Sequence, residues 1–136
     1  MSDDALSVDP DIQTCENIRI MVGRTVDFFK DEGPVRVFGP TFPGAYTDVI
    51  ASGDGDLATD DGIWDLKVSK NPPTKEQTLQ LLVYYLMCRR SDDRMLKGIS
   101  SFGIFNPRLN VSYSLRANLI PSAIISTVER DVIGYK

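Results

Sequence analysis

A mixed α/β fold, one central sheet flanked by helices, is what this sequence predicts, and three observations predict it. Helical and strand periodicities follow one another in the order α-β-β-β-α-β-β-α, a pattern that interleaves helices with a sheet. The chain has 136 residues, enough to bury one core and too few for two. No stretch repeats and none is of low complexity, so solenoid and fibrous architectures are excluded.

Each element has a local reason. Residues 1–9 carry three Asp and no basic residue, which predicts a disordered acidic arm ahead of a single domain over residues 10–136. From Asp11 to Lys30, Ile12, Ile18, Met21, Val22, Val26 and Phe29 recur at helical spacing, between an Asp9-Pro10-Asp11 start and a Gly33-Pro34 stop. Val35 to Phe38 reads as a short strand and Gly39 to Gly44 as a loop. Thr47 to Thr59 and Gly62 to Ser69 read as two strands joined at Asp60-Asp61. A helix follows from Thr74 to Arg90, with Pro73 and Glu76 suited to its first turn; its middle, Leu79 to Met87, is apolar nearly all round and predicts burial. Lys97 to Phe105 and Val111 to Ala117 form two strands about an Asn106-to-Asn110 turn, and Pro121 opens a final helix to about Ile133.

Composition removes several chemistries. There is no histidine, hence no Ser-His or Cys-His nucleophile pair and no His-based zinc site. The two cysteines, Cys15 and Cys88, make neither a disulfide framework nor a metal knuckle, which suggests a reducing, cytoplasmic setting. No apolar run reaches the ~20 residues a membrane span needs, and the acidic start is unlike a signal peptide. The net charge of −4 is unevenly spread: residues 1–66 hold 4 basic and 14 acidic groups, residues 67–116 hold 9 and 3. That asymmetry can set a negative pocket beside a surface that attracts phosphate.

The chemistry-bearing segment is Gly53 to Ser69. Residues two apart in a strand share a face, so Asp65 and Lys67 point one way with Ile63, while Trp64, Leu66 and Val68 point the other way into the core. With Asp60-Asp61 as the turn, Thr59 pairs with Gly62 and Asp56 comes opposite Asp65. With Asp61-Gly62 as the turn, Asp56 faces Lys67 instead. A three-residue loop without a bulge would split the three across both faces. Opposed carboxylates repel unless a cation sits between them, and oxygen donors favour Mg²⁺ or Mn²⁺. In phosphodiester hydrolysis such carboxylates hold the cation, and a lysine stabilises the charge that develops or orients the water.

The other candidates are weaker. Gln80 interrupts an apolar helix, either as a structural amide bonded to backbone or as support for a metal-bound water. Tyr84, one turn on, reads as core with its hydroxyl bonded. Asp54 reads as a turn residue on the Asp56 face, and Glu16 on the first helix as an exposed residue or a further metal carboxylate. Lys70, Lys75 and Arg108 are candidate phosphate contacts. Phe28, Phe29, Trp64 and Tyr85 read as core rather than as platforms for stacked bases.

Asp56, then Asp65-x-Lys67 across a tight hairpin, then a helix with Gln80-Leu-Leu-Val-Tyr84, resembles the PD-(D/E)XK nuclease superfamily, most of all its RecB-like branch. Gly53-Asp-Gly-Asp56 is similar to the family's Gly-x-x-Asp element, and Gly103 to Arg108 to a segment of some small members. The resemblance spans about Ala51 to Arg108. It implies a restriction-endonuclease-like αβββαβ core and a cytoplasmic Mg²⁺- or Mn²⁺-dependent deoxyribonuclease with no covalent intermediate. Asp56 and Asp65 would hold the metal, Lys67 would act on the nucleophile or transition state, and Gln80 would assist. The partner would be DNA or RNA, with self-association as a homodimer or a second protein supplying specificity. The alternative is an inactive nuclease-fold module of a defence or mobile-element system, gripping nucleic acid or a protein through Lys70, Lys75, Arg89, Arg90, Arg94 and Arg108.

Overall fold

The first helix, α1 (Ile12–Glu32), starts where the Asp11 carboxylate accepts the Thr14 N–H at 2.6 Å, and it stops at Gly33. The structure, a computed structural model, describes residues 11–53 and 55–136. The expected arm at residues 1–9 and the turn residue Asp54 lie outside the described residues. After α1 come β1 (Val37–Phe38), β2 (Leu57–Ala58), β3 (Gly62–Leu66), α2 (Lys75–Arg90), a one-turn α3 (Arg94–Lys97), β4 (Ser101–Asn106) and β5 (Val111–Arg116). A 3-10 turn (Ala117–Leu119) leads to α4 (Ser122–Thr127), which runs on into π-helical turns over Val128–Ile133. The α-β-β-β-α-β-β-α order holds, with α3 added.

The five strands form one mixed sheet in the order β1-β2-β3-β4-β5. Neighbours are antiparallel except β3 and β4, which are parallel and joined through α2 and α3. A parallel pair needs such a crossover, and Thr74 starts it. Its hydroxyl accepts from Gln77 N–H while the Gln77 side chain accepts from Thr74 N–H, a reciprocal cap that Thr-x-x-Gln announces in the sequence. Pro73 therefore precedes the helix rather than sitting in its first turn.

Both faces of the sheet are covered. Ala58, Ile63, Phe102 and Ile104 are buried against Leu81, Leu82, Tyr85 and Leu86 of α2. On the other face Leu57, Trp64 and Phe105 meet Phe28 and Phe29 of α1. Gly103 lies opposite Trp64, and a Cβ there would come within 2.6 Å of the indole, so glycine makes room for the ring.

Further sequence expectations are corrected. The strand expected over Thr47–Thr59 shrinks to Leu57–Ala58, because Thr47 to Ile50 closes as a turn, Gly53 O accepts from the Tyr46 hydroxyl and Gly55 N–H donates to Pro40 O. The strand expected from Lys97 starts at Ser101; Asp93 caps Met95 N–H and makes Arg94–Lys97 helical. Of the six apolar positions on α1 only Phe29 is buried, since the helix meets the sheet mainly through its C-terminal turns. Val68, expected in the core, lies past the end of β3 and is exposed, and the larger core is on the Asp65 side, not the Trp64 side.

A carboxylate pair and lysine at the end of β3: candidate functional site

The hairpin register decides where the charges go. Thr59 N–H donates to Gly62 O at 2.9 Å, so Asp60-Asp61 is the turn, and Leu57 lies opposite Trp64 and Ala58 opposite Ile63. The paired ladder stops at Leu57, and the next residue, Asp56, lies within hydrogen-bonding reach of the Asp65 carboxyl. Of the two turns the sequence allows, the structure adopts the one that opposes the carboxylates.

β2 begins only at Leu57, which would leave the outer part of β3 without a partner on that side. Asp56 fills the gap with its side chain: its Oδ2 accepts the Leu66 N–H at 2.8 Å. Lys67, just beyond β3, is held by β4, its N–H donating to Phe105 O at 3.1 Å. Its ammonium reaches back to Asp65, Nζ to Oδ2 being 3.0 Å. One oxygen of each carboxylate is thereby taken, one by a backbone amide and one by an ammonium.

Asp65 is the strained member. Its side chain is 13 % exposed. Burial, followed by a hydrogen bond with the Asp56 carboxyl, pushes its pKa up to about 6, and the Lys67 ammonium opposes this without cancelling it. Lys67 is raised in turn, chiefly by its hydrogen bond to Asp65. Two carboxyl groups therefore share a partly buried spot with one ammonium.

Helix α2 delivers the next two candidates. Gln80 is exposed rather than enclosed by the apolar helix, and its Nε2 donates to the Tyr84 hydroxyl at 2.9 Å rather than to backbone. The Tyr84 ring stacks on Phe42 at 5.4 Å and approaches Gly53, where a Cβ would sit 3.7 Å from Cε1.

Other expected members stand apart. Glu16 pairs with Arg19 at 2.8 Å on α1. Among the described residues no group of three or more Asp, Glu, Cys or His side chains converges as a metal cage. Arg108 lines a cleft of about 480 Å³ with Arg24 and Val68 on the α1 side. Lys75 borders a different groove, between α2, β5 and α4. Lys70 is exposed in the segment after β3. The structure thus does not gather the three basic candidates in one place.

Sequence reasoning missed Asn106. It is buried, its Nδ2 donates to Ser69 O at 2.8 Å, and its Oδ1 accepts from Arg108 and Leu109 N–H, tying the segment after Lys67 to the β4–β5 turn. A buried Asn before Pro at a strand end was the available signal.

No family model, curated protein or solved structure matches the chain. Among the described residues no helix is long and apolar enough to cross a membrane.

Proposed function

We propose that this protein is a Mg²⁺- or Mn²⁺-dependent nuclease of the PD-(D/E)XK type that hydrolyses phosphodiester bonds in DNA. The observation that carries the reading is the Asp56–Asp65 carboxyl pair, with the Lys67 ammonium 3.0 Å from Asp65. The setting supports it, because the trio lies where β3 runs parallel to β4, with a helix bearing Gln80 and Tyr84 between them. The donor set fits the cation: two carboxylates are what Mg²⁺ commonly takes from a protein, the rest being water and substrate oxygens. Bound there, the cation would lower the pKa of a water and draw charge from the phosphoryl oxygens.

The protein's own groups divide the remaining work. The Leu66 N–H fixes the Asp56 carboxylate through Oδ2. Asp65 must lose its proton to serve, so cation binding rises as pH passes about 6. Lys67 is placed to donate to a phosphate oxygen or to the attacking water once a cation takes up the negative charge it now balances. Gln80 and Tyr84 hold one another one helical turn apart on α2.

The test is cleavage of plasmid and single-stranded DNA with Mn²⁺ by the wild type, Asp65→Ala and Lys67→Ala. Asp65→Ala should abolish cutting, and Lys67→Ala should slow it about 10²–10³-fold, the usual effect of losing one transition-state donor. Equal cutting by all three would end the proposal. A protein that retards DNA without divalent metal and never cuts it is the inactive binding module instead.

A further inference from the structure

The two edges of the sheet are unlike. β1 spans two residues and runs into Gly39-Pro40, a short edge that offers little to pair with. β5 has six residues, all exposed, and between Val111 and Leu115 it carries no charge and no proline. Edge strands of monomeric proteins are usually blunted by lysine, proline, bulges or cover, and this one has none of these.

Its backbone alternation is fixed. Ala117 N–H donates to Ser100 O, continuing a register in which Leu115 faces Phe102 and Tyr113 faces Ile104. Val111, Tyr113 and Leu115 therefore turn their amides and carbonyls toward β4, and Ser112 and Ser114 turn theirs outward.

The side chains of this strand read alike in both directions. Val111-Ser-Tyr-Ser-Leu115 is symmetric in residue class about Tyr113. An antiparallel mate related by a two-fold axis at Tyr113 sets Val111 opposite Leu115 and Ser112 opposite Ser114. Every apolar side chain then stays on the α2 face and every serine on the other. The outward amides and carbonyls of Ser112 and Ser114 bond to those of their mates. Arg116, at the strand end, meets the uncharged Asn110 of the mate, so no like charges are opposed. Beside β5 the apolar face continues as a groove of about 540 Å³ lined by Leu79, Leu115, Leu119 and Ile124, all exposed.

We infer that β5 pairs with β5 of a second copy of this chain, joining two sheets into one of ten strands. An isologous contact of this kind closes on itself and does not propagate. Asp65 lies opposite Ile104, and Ile104 opposite Tyr113, so the two carboxylate centres fall on one row across the sheet. They face the same side, five strand spacings or about 24 Å apart before twist.

Sedimentation across micromolar to near-millimolar concentration tests this. The wild type should be a dimer. Ser114→Pro removes only an outward N–H and leaves the bonds to β4, so it should weaken dimerisation at least about tenfold with unchanged circular dichroism. In a Cys15→Ser background, Tyr113→Cys should cross-link the two copies on mild oxidation, because non-hydrogen-bonded partners stand about 4.5 Å apart between Cα atoms. A wild type that stays monomeric, a dimer indifferent to Ser114→Pro, or a dimer that Tyr113→Cys fails to link would each overturn the inference. All these outcomes are independent of nuclease activity.

Discussion

The two faces of the sheet are built to different standards. Against α2 lies a broad aliphatic core in which Ala58, Ile63, Leu86 and Met87 have no measurable exposure. Against α1 lies a small aromatic knot: Phe28 stacks on Phe105 at 4.3 Å, and Trp64 meets the rings of Phe28 and Phe29 edge-on at 5.0 and 5.9 Å. Beyond it, α1 is pinned by Arg24, whose guanidinium donates to the Pro107 and Arg108 carbonyls at 3.0 Å. The charged trio sits on the well-filled face. The lesson is that a half-buried carboxylate pair, which costs stability, is carried where packing is dense, and a long helix can dock through two or three rings.

The contrast can be broken most directly at Trp64. Trp64→Ala should cost about 3–5 kcal/mol, as for other large-to-small core changes. Because few other contacts hold α1, hydrogen exchange should show its amides losing protection before those of α2.

A smaller effect of opposite sign is expected from Asp65→Asn on the dense face. The folded pKa of Asp65 is raised to about 6, so its protonated form is favoured by the fold. The stability it contributes is complete below its ordinary value near 3.8 and is lost as pH rises through 6. Asp65→Asn should therefore be more stable than wild type at pH 7 by about 1–2 kcal/mol, with the two converging below pH 4, as read by denaturant titration. Mn²⁺ should raise the melting temperature of the wild type above pH 6 and leave the variant unmoved.

The smallest expected effect marks the limit of the contrast. Val22 lies on the exposed stretch of α1, and Val22→Ser should change stability by less than about 0.5 kcal/mol. A larger loss in thermal denaturation would mean that α1 is covered by something in solution.

The hairpin and its carboxylates were legible because period two and a two-residue turn leave few registers, and Asp60-Asp61 proved to be the turn. The capped α2 and the element order were equally plain. What failed was the inference from helical periodicity to burial along most of α1, where Phe29 alone of the six positions is buried. α1 has the spacing of a packed helix, but the sheet beneath it is five residues long at β3 and cannot cover 21 residues of helix. The extent of β2 was overread because β-propensity in Thr47 to Ile50 was outweighed by the Thr47 hydroxyl, which bonds the Val49 and Ile50 amides. Gln80 was misplaced for a related reason: an apolar sequence neighbourhood does not make every position of a helix inward-facing.

One hydrogen bond has a spectroscopic consequence. The Leu66 amide proton rests on a carboxylate in place of a strand carbonyl. Its nitrogen and proton resonances are thus wired to the ionic state of the Asp56–Asp65 pair. A single backbone cross-peak thereby reports on that pair, readable without substrate or turnover.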